Sequence, residues 1–94
     1  MSWTFLSNHG HVVVQLSQNP ELKVSELAQN IGVTERHIRS VLLDLRDAGY
    51  LEVVKVGRQN RYKLKTNLPL RHDAESNKSL RDLVAIFSPK RRLG

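Results

Sequence analysis

The 94-residue sequence contains no cysteine. Disulfide scaffolds, thiolate zinc sites and cysteine nucleophiles are thereby excluded. No apolar run approaches the roughly 20 residues that a membrane span needs. The N-terminus, Met1-Ser2-Trp3-Thr4, has no basic region followed by an apolar block, so the expectation is a cytoplasmic chain without a secretory signal. No nucleophile–base pair stands at a recognisable spacing, and no glycine-rich phosphate loop is present. A chain this short buries roughly 60–65% of its unfolded surface, enough for one core and no second one. Two-domain enzymes and large cofactor folds are excluded, and neither enzyme activity nor a cofactor is expected.

What the sequence has is positive charge. Fifteen Lys and Arg stand against nine Asp and Glu, a formal net charge of +6. On so small a body that favours a polyanionic partner. The excess is uneven: residues 1–34 sum to −1, residues 35–49 to zero, residues 50–66 to +4 and residues 67–94 to +3.

Hydrophobic periodicity predicts three helices first. Phe5, Leu6, His9, Val12, Val13 and Leu16 form one stripe, with Ser7 as N-cap and Asn19-Pro20 as the stop. The residues before Ser7 fit either an extended start or a helix beginning nearer Thr4. Ser25 is the expected N-cap of a second, short helix, with Glu26 in its first turn. Leu27, Ala28 and Ile31 supply its buried face, and Gly32 ends it. Thr34 then caps a third helix, with Val33 and Ile38 as a hydrophobic staple. Ile38, Val41, Leu42 and Leu45 carry its apolar stripe to Ala48, and Gly49 stops it.

The period then changes from helical to alternating. Leu51-Glu52-Val53-Val54-Lys55-Val56 and Arg61-Tyr62-Lys63-Leu64-Lys65 predict two strands, joined by a turn at Gly57-Arg58-Gln59-Asn60. Tyr62 and Leu64 face inward; Arg61, Lys63 and Lys65 face out. After the connector Asn67-Leu68-Pro69-Leu70, a last helix carries Leu80, Leu83, Val84 and Phe87 at helical spacing. Asp73 or Ser76 is its expected cap, and Pro89 its end. Three segments follow: 1–70 as the main domain, 71–88 as a C-terminal helical element, and 89–94 as a basic tail.

The most informative stretch is Val24 to Leu43. Two helices joined by a tight turn at Gly32 must cross steeply, which needs small Ala28 at their approach and branched Ile38 and Val41 on the second helix. This is the helix-turn-helix pattern, whose second helix presents its N-terminal half to the DNA major groove. Followed at once by a basic hairpin, it predicts a winged helix-turn-helix: mainly α with a β-hairpin, a three-helix bundle plus wing, and an added C-terminal helix.

On Leu27-Ala28-Gln29-Asn30-Ile31-Gly32-Val33-Thr34, Leu45-Arg46-Asp47-Ala48-Gly49-Tyr50-Leu51 and Gly57-Arg58-Gln59-Asn60-Arg61-Tyr62, the chain resembles small winged helix-turn-helix regulators of the MarR and ArsR type. The resemblance covers about Ser7 to Thr66. It implies a homodimer on a pseudo-palindromic operator of double-stranded DNA, usually as a repressor.

With the apolar stripe inward, Glu35, Arg36, Arg39, Ser40 and Leu43 lie outward, and His37 lies near the boundary. Arg36 and Arg39 are the candidates for guanine contact. Thr34, Ser40 and the free amides of the helix N-terminus suit phosphate. The competing reading pairs Arg36 and Arg39 with Glu35, Asp44 or Asp47 in solvent. On the wing, Arg58 is the candidate for the minor groove, with Gln59, Asn60 and Arg61 beside it and Lys63 tracking phosphate. Lys63 and Lys65 would equally serve to protect an edge strand.

The histidines do not form a metal set: His9 and His11 fall on different sides of a helix, and His37 and His72 are isolated. Trp3, Phe5 and Phe87 read as core residues, which suggests a cluster shared by the chain ends. Leu80, Leu83, Val84 and Phe87 are expected to dimerise rather than dock on their own domain, with any small-molecule effector site at that interface. The rival function is a winged-helix module binding RNA or a protein, for which only Leu43 offers an apolar hint.

Overall fold

The computed structural model describes residues 3–87. Helix α1 (Asn8–Gln18) starts behind Ser7, whose hydroxyl accepts from the Gly10 amide at 3.2 Å. Its residues Val12, Val13 and Leu16 enter the core. Helix α2 (Val24–Ile31) begins earlier than the sequence suggested. Ser25 lies inside it and Lys23 is the N-cap. The reason is Glu26, whose carboxylate accepts from the Lys23 amide at 2.8 Å. That bond satisfies an amide at the helix start without a Ser hydroxyl.

Gly32 ends α2 with φ +87°, a left-handed conformation open to glycine at little cost. Helix α3 (Glu35–Asp47) follows after two residues, capped by Thr34, whose hydroxyl accepts from the His37 amide at 3.1 Å. Ala28 is buried at the helix approach, and Ile38, Val41, Leu42 and Leu45 turn inward. These residues share one core with Leu27, Tyr50, Leu51 and Tyr62.

Strands β1 (Leu51–Val56) and β2 (Gln59–Leu64) pair antiparallel, with Leu51 opposite Leu64 and Val56 opposite Gln59. The turn is therefore two residues, Gly57 and Arg58, rather than four, and Gln59 and Asn60 belong to β2. Gly57 has φ +64° and Arg58 does not have positive φ, the pattern of a type II′ turn. Its twist matches that of the flanking strands, which is why the shorter loop wins. Tyr62 is buried and Leu64 half-buried, while Arg61, Lys63 and Lys65 are exposed.

Beyond the wing the chain doubles back. Leu70 donates to the Lys78 carbonyl at 2.9 Å and Leu80 to the Leu68 carbonyl at 2.8 Å. The Tyr50 hydroxyl donates to the Pro69 carbonyl. A 3-10 turn, Asp73–Glu75, occupies the bend, with the His72 ring accepting from the Ala74 amide. Helix α4 (Leu80–Phe87) is capped by Ser79, not by Asp73 or Ser76. The Ser79 hydroxyl accepts from the Asp82 amide at 3.4 Å, and the Asp82 carboxylate accepts from the Ser79 amide at 2.9 Å. The Ser79 amide bond, more than any nearby cation, holds the Asp82 carboxyl below its usual value. Asp73 and Ser76 are spent on the 3-10 turn and its end.

The fold is thus a winged helix with a C-terminal helix, and the described residues form four α-helices and one two-stranded hairpin. Helix α4 packs on α1, and Leu80 and Val84 sit in the common core. Leu83 is half-buried and Phe87 exposed. Trp3 and Phe5 depart from expectation: they are 77% and 92% exposed, not core. The Thr4 hydroxyl accepts from the Leu6 amide at 3.2 Å and bonds the His11 ring of α1 at 3.1 Å, so Thr4 is tied to the helix while Trp3 and Phe5 on either side of it stay exposed. The two rings stack edge to face at 4.9 Å. Pro89 and the basic tail lie outside the described residues.

Candidate nucleic-acid interface

The outward stripe of α3 is a consequence of its inward one. With residues 38, 41, 42 and 45 in the core, Arg36, Arg39, Ser40 and Leu43 fall at i, i+3, i+4 and i+7 on the opposite side. All four are exposed. Thr34 and Glu35 lie at the N-terminal end, where free amides and the helix dipole favour an anion.

The two arginines of that stripe differ. Arg39 donates to Glu35 at 3.3 Å across one helical turn, with both side chains at least half exposed. Such a pair contributes about 0.2–1 kcal/mol and opens readily for a stronger acceptor. Arg36 has no ion pair among the described residues. His37, the boundary residue, bonds the Asn8 side chain through Nε2 at 3.0 Å and so ties α3 to the start of α1. Likewise His9 pairs with Asp44 at 2.9 Å. These contacts fix the angle at which α3 is presented.

The wing is anchored from a direction the sequence did not reveal. The loop between α1 and α2 lies along β2, with the Tyr62 amide donating to the Pro20 carbonyl at 3.1 Å. Arg61 pairs with Glu21 of that loop at 2.9 Å. Lys65 pairs with Glu52 at 3.6 Å, whereas Arg58 and Lys63 have no ion pair among the described residues. A cleft of about 210 Å³ separates the loop from the wing, lined by Lys23, Val24, Arg58, Gln59 and Asn60 among others. Lys23, an N-cap by its backbone, thus joins Arg58 at the same cleft. The cap expected from the sequence was Ser25, not Lys23. Its signal was available in retrospect: Glu26 three residues on marks Lys23 as a helix start.

The histidines each have a separate neighbour: Asp44, Thr4, Asn8 and the Ala74 amide. Among the described residues no three metal-ligating side chains come together. No described helix is long and apolar enough to cross a membrane.

The family model described as "Sugar transport-related sRNA regulator N-term" matches residues 5–86. The chain belongs to this family. The matched span takes in α1, α2, α3 and the wing and reaches the last turn of α4. It is a winged-helix DNA-binding domain of transcriptional regulators, and not an enzyme class. No curated protein matches the chain significantly. DNA is accordingly the partner of this domain, and transcription regulation its setting.

Proposed function

We propose that the domain binds double-stranded DNA sequence-specifically, as a cytoplasmic homodimer on an inverted repeat. Helix α3 enters the major groove, with Arg36 and Arg39 reading bases and Thr34, Glu35, His37 and Ser40 at the margin of the contact. The wing follows the backbone into the adjacent minor groove. Arg58 leads, Gln59 and Asn60 flank it, and Arg61 and Lys63 approach phosphates. The carrying observation is the exposed stripe of α3 presented beside a basic hairpin, with Arg36 and Arg58 unpaired among the described residues. The charge distribution supports the division of labour: α3 is neutral and selective, while the wing supplies general attraction. The sign of regulation is set by where the operator lies relative to the promoter.

Selection of bound sites from random duplex DNA, repeated at two salt concentrations, tests the reading. Enriched inverted repeats are expected, with half-sites about one helical turn apart. Uniform, steeply salt-sensitive binding without enrichment would instead support an RNA-binding or other non-operator role.

A further inference from the structure

Two features are left over by the DNA-binding surface. The first is the edge-to-face pair of Trp3 and Phe5, which are 77% and 92% exposed. The second is an open cleft of about 580 Å³ between the N-terminal segment, α1, α4 and the connector. Val13, Tyr50 and Leu80 are buried residues at this cleft, and Leu6, Leu70 and Leu83 are half-buried residues there. None of residues 34–40 and none of the wing lines it. Arg71 and Glu75, also on its lining, have no partner for their charged groups among the described residues.

We propose that these two features are halves of one interface, in which the Trp3–Phe5 pair of each copy covers the cleft of a second copy of this chain. The proposal rests on the dimer reading above and deepens it. Phe5 belongs both to the aromatic pair and to the rim of the cleft, so ring and receptor lie on one face. A surface carrying a knob and a hole side by side closes on itself about a two-fold axis, each knob filling the other's hole. The area fits a small, reversible interface. Aromatic side chains bury about 150–250 Å² each, so four of them supply roughly 600–1,000 Å². The walls of the two clefts lose a smaller area, so the total comes to roughly 1,000 Å², the low end of specific interfaces. The chemistry of the rim also fits. An arginine such as Arg71 is attracted to the face of an indole or phenyl ring. The Glu75 carboxylate is an acceptor for the indole N–H, which needs a partner once buried. Leu80 and Leu83, two of the residues expected from the sequence to dimerise, line this cleft, while Val84 is core and Phe87 is not on the lining.

Trp3 is the only tryptophan of the chain, so its emission reports on this contact alone. Emission is measured against protein concentration, beside sedimentation of the wild type and of Trp3→Ala/Phe5→Ala. Both residues are exposed, so circular dichroism of the variant is expected to match the wild type. The expected result is water-like emission at high dilution. It shifts to the blue with the same midpoint as dimerisation, and the variant's dimer dissociation constant rises roughly 30-fold or more. A dimer whose Trp3 emission stays water-like, and which the variant forms equally well, overturns the proposal and leaves the dimer reading intact. A chain that stays monomeric at about 100 μM overturns both, whereas DNA recognition is judged separately by site selection. Blue-shifted emission in a monomer overturns the proposal in favour of an arm closing its own cleft.

Discussion

The N-terminal half of α3 and the wing each present two arginines, and each holds one of them in an ion pair. On α3, Arg39 is paired with Glu35, four residues away on the same helix. On the wing, Arg61 is paired with Glu21, which comes from the loop between α1 and α2. Arg36 and Arg58 are unpaired among the described residues. The two pairs do different things. The first is local and holds a side chain that can turn to a base. The second is long-range and holds the hairpin itself against the body of the domain. Of these four arginines, Arg36 and Arg58 meet a ligand without first giving up an ion-pair partner among the described residues.

The largest effect expected is one that erases the distinction. Ile38 is fully buried beneath α3, and Ile38→Ala removes packing that both surfaces rest on. A loss of about 2–5 kcal/mol in chemical denaturation is expected, together with loss of DNA binding. Next is Arg36→Ala. It should weaken specific binding by about 1–3 kcal/mol, relax one operator position, and leave the melting temperature unchanged. Arg39→Ala on the same titration should cost less, because its Glu35 pair is lost with it. The smallest effect is at the wing tip. Arg58→Ala should weaken binding and lower the salt slope by roughly 1. If Arg58→Ala changed sequence preference and Arg36→Ala changed only the salt slope, the roles assigned to helix and wing would be reversed.

Much of this was legible in the sequence where a signal is local. Ser7, Thr34, Gly32 and Gly49 mark helix ends through bonds and dihedrals that involve only near neighbours. The inward stripe of α3 follows from its own spacing, and it fixes the outward one. The departures arise where partners are distant or several residues compete. Ser25 lost the cap of α2 because Glu26 reaches back to Lys23, and Ser79 took the cap of α4 because Asp82 reciprocates. The Arg61–Glu21 pair joins residues forty apart in the chain, which no periodicity reports. Trp3 and Phe5 are the residue types of a core, but it is Thr4 between them that is bonded to α1, through His11, and both rings are left exposed.

The central claim is that this winged helix discriminates among DNA sequences, with α3 as reader and the wing as anchor. Its most direct test is the affinity ratio between a selected inverted repeat and a scrambled duplex of equal length, measured at one physiological salt concentration. A ratio of roughly 10³ or more is the expected result. A ratio near one, for a folded protein that still binds both duplexes, would contradict it.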